Sequence, residues 1–312
     1  MRVMVTGGSG FVGSYVVKEL LRHGHTPVCL VRQARRLLDK VPLTDQSRIQ
    51  TVPGTLARPD AVRRAVEGTD AVIHLVGIIN ETPRHSFRRV HIDGTRVVVD
   101  AAKAAGVRRF VHMSALGARP DAVSRYHLTK YEAEQVVRAG GLDWTVFRPS
   151  VIHGPESEFM QLVKVLARPK LRYGPIPAMP YFGRGEGKLQ PVSVRDVAHC
   201  MAASIHMPET IGQTYSMGGP EVYDWKQLYA LCSQAISGKT RRQVSVPVPL
   251  AKLVAVTVMK TPLVPKLLKF NLSQIQMSQE DSVCDTTPIE DTFNIELGGF
   301  KDAVISYADR IP

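Results

Sequence analysis

A chain of 312 residues can bury a full hydrophobic core and suits one large domain, or a main domain with a smaller appendage. Its 44% hydrophobic and 22% charged residues are globular proportions that exclude a disordered or fibrous chain. The net charge of +12 favours anionic partners, but the excess is spread thinly, with no basic tract interleaved with aromatics, which argues against nucleic acid.

Cys29, Cys200, Cys232 and Cys284 lie far apart, outside any C-x-x-C or zinc-ligand spacing, and read as free thiols of a reducing compartment. The opening MRVMVTGG runs straight into an apolar strand pattern and lacks the parts of an export signal. The longest apolar run, Leu250 to Met259, is too short to span a bilayer and is interrupted by Lys252. The expected location is cytoplasmic, or peripheral at the inner face of a membrane.

In chain order, Arg2 to Val5 reads as a strand, Val12 to His23 as a helix and Pro27 to Val31 as a second strand. Ile49 to Pro53 follows as a strand, Pro59 to Glu67 as a helix and Ala71 to Ile78 as a strand buried on both faces. Ser86 to Ala105 reads as one long helix, Arg109 to Ser114 as a strand, Tyr126 to Ala139 as a helix and Trp144 to Val151 as a strand. Such alternation predicts βαβ units, with six or seven parallel strands complete by about residue 152. Beyond Gly154 the pattern loosens, and Pro and Gly crowd residues 169 to 191 into a long loop of the functional kind. Helices over Val194 to Ile205 and Tyr223 to Ser237 then mix with strands at Gln213 to Met217 and Gln243 to Val248. The expectation is an α/β Rossmann-type doubly wound parallel sheet over residues 1–155, with a smaller C-terminal α/β substrate or partner lobe, 156–312, interleaved with it.

Thr6-Gly7-Gly8-Ser9-Gly10-Phe11-Val12-Gly13 sits between the first strand and its helix. Gly7 would allow the tight turn, Gly10 the approach of a pyrophosphate and Gly13 close helix packing, while the helix N-terminus offers free N–H groups. A dinucleotide is therefore the expected ligand. The second strand ends in Arg32 rather than an acid, and Arg32 with Arg35 or Arg36 could pair with a 2′-phosphate. That favours NADP(H) over NAD(H), although the same arginines could belong to a solvated helix start.

Tyr126 and Lys130 stand four apart on a helix and so share a face. A cation beside the phenol would lower its pKa toward use as a general acid or base. Ser114, at the end of the preceding strand, could hydrogen-bond a substrate carbonyl.

The motifs TGGSGFVG, DAVIHLVG, HIDGT, FVHMSALGA, YHLTK, WTVFRPSVIHGP and QPVSVRDVA together resemble the extended short-chain dehydrogenase/reductases. The run RPSVIHGPESEFMQ, RYGPIPAMP and LQPVSVRDVA is similar to the atypical subgroup containing the alpha-subcomplex subunit nine of respiratory complex I. The resemblance covers roughly residues 1–220. It implies that Gly7, Ser9, Gly10, Phe11, Val12 and Gly13 hold the pyrophosphate and that Leu75, Val76 and Gly77 line the adenosine side. It makes Tyr126 the acid/base and Lys130 the ligand of the nicotinamide ribose. It also has Pro149, Val151 and Ile152 close over the nicotinamide, and Gln190 to Ser193 lie near a substrate.

Two departures stand out. His91 replaces the family's usual Asn before Ile92-Asp93-Gly94-Thr95, which puts the proton relay in question. Gly54-Thr55-Leu56 replaces G-D-L, removing an adenine-binding carboxylate and leaving Leu56 as that turn's contribution to the cofactor site.

No metal is expected: His23-Gly24-His25 reads as a turn at a helix end without a third ligand. His74 reads as a satisfied core histidine. The segment PLAKLVAVTVMKTPLVPKLLKF, with Lys252, Lys260, Lys266 and Lys269, reads first as a lobe helix with a solvated lysine face. It would also suit an anionic membrane surface or a respiratory-complex partner. The function expected is hydride transfer between the nicotinamide and an unidentified carbonyl or quinone-type small molecule. The alternative is a non-catalytic nucleotide-binding accessory or assembly factor, and a sugar-nucleotide epimerase or dehydratase is a lesser one.

Overall fold

The computed structural model describes residues 1–168, 178–261 and 264–312. Its contacts divide it into two compact units. The first comprises Met1–Pro149, Val194–Met217 and Thr287–Ile295; the second comprises Ser150–Ser193, Gly218–Thr286 and Glu296–Pro312.

The first unit is built on a seven-stranded sheet: β1 (Arg2–Thr6), β2 (Thr26–Val31), β3 (Gln50–Pro53), β4 (Ala71–His74), β5 (Arg109–Met113), β6 (Asp143–Pro149) and β7 (Gln213–Met217). All pairings are parallel and the order is β7-β6-β5-β4-β1-β2-β3. The order reverses direction between β1 and β4, the place where doubly wound sheets open a ligand crevice at their carboxyl edge. The longer helices are α1 (Phe11–Arg22), α2 (Pro59–Val66), α3 (Gly94–Ala104), α4 (Arg125–Arg138) and α5 (Val194–Ala203). Met4, Val72 and Phe110 of the strands bury themselves against Val62, Val98 and Val137 of α2, α3 and α4. β4 is buried at every position, as a sheet covered on both faces requires.

Several expected elements are redrawn. Six strands of the sheet are complete by residue 152, within the expected six or seven; what changes is Gln213–Met217, which joins the main sheet beside β6 rather than the lobe. The strand expected to reach Ile78 stops at His74, because its neighbour β1 ends at Thr6 and turns away. The helix expected over 86–105 opens with a π-helical turn, Arg88–Asp93, before α3.

In the second unit Ile152–His153 pairs with Val192–Ser193, Met179–Phe182 with Gln243–Val246, and Tyr223–Asp224 with Lys188–Leu189. Helices Glu158–Ala167, Trp225–Ser237 and Phe300–Tyr307 contribute Met160, Leu228 and Phe300 to its core. Tyr223 is extended rather than helical, since Asp224 caps the following helix in a reciprocal capping box with Gln227. Residues 169–177 of the expected Pro/Gly-rich loop lie outside the described residues.

The basic apolar segment after residue 248 is a helix, Val248–Val256, followed by 3₁₀ turns rather than one amphipathic element. Leu250 and Leu253 are exposed there, and Lys269 donates to the Thr261 carbonyl. Among the described residues no helix is long and apolar enough to cross a membrane. All four cysteines are free, and burial pushes the Cys29 and Cys232 thiols up to about 12.

Candidate functional site

β1 leads into Gly7 at φ +77°, a left-handed conformation that strains any residue with a side chain. The turn is closed by Gly10 N–H donating to the Gly7 carbonyl at 2.9 Å. A Cβ on Gly7 would stand 3.3 Å from the backbone of Leu75 and Val76, so the loop presses on the segment that follows β4. A Cβ on Gly13 would overlap the Gly7 carbonyl and lie 2.7 Å from Gly8 Cα. Gly10 caps α1 without a side chain, and the first turn of α1 carries no acid. The first N–H groups of a helix have no partner within it. Here they face a cradle made of backbone alone, and that cradle fits a diphosphate.

Sequence reading missed Lys40. Its ammonium donates to the Ser9 carbonyl at 2.8 Å and the Gly10 carbonyl at 3.4 Å, placing a cation on the loop from 30 residues along the chain. No spacing rule points to it.

Arg32 follows β2 directly and is exposed, as are Arg35 and Arg36. Arg35 pairs with Asp39 at 3.6 Å. Leu56 is partly buried against the core, and a Cβ on Gly94 would come within 2.8 Å of it; its side chain is committed to packing at the start of α3.

At the carboxyl edge Thr6, His74 and His112 stand in register across β1, β4 and β5. Thr95 donates to the His91 carbonyl and so accepts from His74 Nε2; His74 Nδ1 then accepts from Thr6 at 2.6 Å. His74 is thus a satisfied core histidine, held neutral because burial drives its pKa down to about 3. His91 works similarly. Thr129 donates to the Arg125 carbonyl and accepts from His91 Nδ1, leaving Nε2 to accept from Ile78 N–H at 3.1 Å. Burial and the Lys130 charge lower His91 to about 3. In this chain the imidazole therefore pins the strand-end loop to α4 at Thr129.

Lys130 is buried, donates to the Met113 carbonyl at the end of β5, and would lie 3.9 Å from a Cβ on Gly77. Burial lowers its ammonium to about 8, with Glu134 pulling the other way. Tyr126 packs edge-on against His91, ring centroids 5.6 Å apart, and against Phe87. Its phenol is pushed up to about 12 by burial, the reverse of the lowering expected from Lys130. Desolvation disfavours the phenolate, and no lowering by the Lys130 ammonium accompanies it. Ser114 is buried and its backbone N–H extends the ladder to Phe147 at 2.7 Å. Its hydroxyl has no hydrogen-bond partner among the described residues, a state that asks for an external acceptor or donor.

The first unit thus joins Gly7, Leu75, Val76, Gly77, His91, Lys130 and Tyr126 into one continuous line. Pro149 ends β6 in that unit, whereas Val151 and Ile152 belong to the second, where Ile152 pairs with Val192. There Gln190 is committed to structure: its amide donates to the Gly219 carbonyl and accepts from Cys284 N–H, both at 2.7 Å. Arg148, in the same motif as Pro149, makes a two-pronged ion pair with the fully buried Glu134 at 2.8 and 2.6 Å.

The model of a family described as NAD(P)H-binding matches residues 7–208. A ceramide reductase from Caulobacter vibrioides is 30% identical over 241 residues, covering 77% of this chain and 72% of that protein. The 40 kDa subunit of mitochondrial NADH-ubiquinone oxidoreductase from Neurospora crassa is 26% identical over 305 residues, 98% of this chain and 75% of the relative. Among solved structures, the UDP-glucose 4-epimerase of Thermotoga maritima, determined with UDP-glucose, superposes with a TM-score of 0.74 at 19% identity over 99% of this chain and 98% of that one. At that identity the likeness speaks to the fold.

Proposed function

Since this chain belongs to the NAD(P)H-binding family matched over residues 7–208, we propose that it is an NADP(H)-dependent oxidoreductase acting on a carbonyl or quinone-type substrate. The observation that carries the reading is that Lys130 reaches the Met113 carbonyl, next in the chain to the unpartnered Ser114 hydroxyl, while Tyr126 packs on His91. The nicotinamide, when bound, supplies or accepts the hydride. Backbone N–H groups from Phe11 to Gly13 hold the diphosphate, with Lys40 adding positive charge. Arg32 and Arg36 bind the 2′-phosphate of NADP(H), a role supported by the absence of an acid after β2. Lys130 donates to the ribose hydroxyls, Ser114 donates to the substrate oxygen, and Tyr126 passes that oxygen its phenolic proton. A phenol at about 12 suits the direction in which it donates, reduction, better than the direction in which it must accept.

That same high value favours a second reading, in which the bound nucleotide is resident and the protein is an accessory or assembly factor. The name of the 26%-identical respiratory relative fits it. Oxidation of NADPH with a panel of quinones and carbonyls separates the two. Turnover by the wild type, cut 10²- to 10⁴-fold in Tyr126→Phe with NADPH binding retained, is the expected result. A wild type that binds NADPH and turns over nothing in the panel supports the resident-nucleotide reading. Undiminished turnover in Tyr126→Phe removes that tyrosine from the chemistry.

A further inference from the structure

The turn His23-Gly24-His25 lacks a third ligand in sequence, but folding gathers a different triad around its first histidine. Glu19 and His23 share a face at the end of α1, and α5 brings in His199, which is 180 residues from Glu19. Glu19 Oε1 lies 3.5 Å from His23 Nε2 and 3.4 Å from His199 Nδ1, and all three ligand atoms fall within 4.8 Å of one another. Tetrahedral coordination with bonds of about 2.05 Å requires ligand atoms about 3.3 Å apart, so two of the three edges are nearly in place. The third edge, between the two imidazole nitrogens, is at most 4.8 Å.

We propose that Glu19, His23 and His199 form a binding site for a divalent transition-metal ion of the zinc class, independent of the nucleotide site. Two imidazoles and a carboxylate are a donor set matched to such ions rather than to calcium or magnesium. The other carboxylate oxygen accepts from Arg22 at 3.1 Å, which turns Oε1 toward the rings; Arg22 is 73% exposed and can swing away from an incoming cation. His23 and His199 are 48% and 38% exposed, so an ion enters from solvent and water completes its shell. The ion would clasp the far end of the helix whose N-terminus forms the phosphate cradle, and its charge sits well at a helix C-terminus. A second imidazole pair is close by: His25 and His206 meet Nε2 to Nε2 at 3.0 Å, and the His25 and His23 rings are 6.4 Å apart.

The test uses the tag-free full-length chain, stripped with a chelator and titrated with zinc chloride by calorimetry. Cobalt(II) is followed in parallel by its visible absorption. One ion per chain is expected, with affinity reduced at least tenfold in His199→Ala and in the near-isosteric Glu19→Gln, and unchanged in His206→Ala. Apo melting temperatures matching the wild type show that the variants fold. No saturable binding, wild-type affinity in either ligand variant, or loss confined to His206→Ala would overturn the assignment. Because the readout is metal binding, it stands or falls separately from turnover.

Discussion

Lys130 is a cation placed where charge is disfavoured. Removing the ammonium from water costs more than Glu134 returns, so its pKa falls from 10.5 to about 8. Below pH 8 both the folded and unfolded chains carry the proton, and the whole penalty, on the order of 3 kcal/mol, is present. Between pH 8 and 10.5 only the unfolded chain keeps the proton, so this residue's contribution to stability rises with pH. Urea unfolding of wild type and Lys130→Met at pH 7.5 and pH 10 should show the difference moving toward the wild type by roughly 2–3 kcal/mol. A constant difference would mean that the amine titrates normally. Arg32 poses a different residue-scale question, that of cofactor choice. Removing a charge-assisted contact to phosphate costs about 1.5–3 kcal/mol, so Arg32→Ala should weaken NADPH at least tenfold and leave NADH nearly unchanged in a fluorescence titration. Equal affinity of the wild type for both nucleotides would remove the preference for NADP(H).

At the scale of elements, the β1–α1 connection depends on the absence of side chains. Gly13→Ala forces the Gly7 carbonyl and Gly8 aside. A loss of about 1–3 kcal/mol and at least tenfold weaker NADPH binding are expected from thermal melts and titration. Gly24→Ala is the control: it also has positive φ, +74°, but nothing lies within 4 Å of its Cβ. It should cost about 1–2 kcal/mol and leave nucleotide affinity intact. Equal effects on binding would mean that the cradle tolerates displacement. Another element-scale device is Arg109 of β5. It donates to the Ser204 and Asp143 carbonyls and to the Thr145 and Thr210 hydroxyls, and so ties residues 204–210 to β5 and β6. That buried guanidinium helps to hold β7 at the sheet edge, and its burial lowers it to about 10.

Across the molecule, several histidines are stored neutral. His74 and His91 are lowered to about 3 and His112 well below its ordinary value, in each case chiefly by burial. Because the folded values are depressed, the unfolded chain takes up protons first as pH falls below 6.5, and stability declines from there toward the folded values. Three such groups approach a slope of about 4 kcal/mol per pH unit, steep against a total stability of about 5–15 kcal/mol. The urea midpoint should therefore fall sharply between pH 7 and pH 5. A midpoint that holds steady over that range would contradict neutral burial of these rings.

Much was readable from the chain alone because it depends on neighbours in sequence. The apolar runs of β1, β2, β5 and β6, the glycine spacing from Gly7 to Gly13, and the four-residue step from Tyr126 to Lys130 are local patterns, and local periodicity sets which face a residue presents. What required the tertiary structure was every property set by distant partners. The placement of Gln213–Met217 in the main sheet, the approach of Lys40 to Ser9, the service of His91 between Ile78 and Thr129, and the meeting of His199 with Glu19 all join segments that no spacing rule connects. The same holds for the direction of the Tyr126 shift. A sequence shows the cation four residues away, but only the folded chain shows that water has been removed from the phenol, and that removal sets the shift.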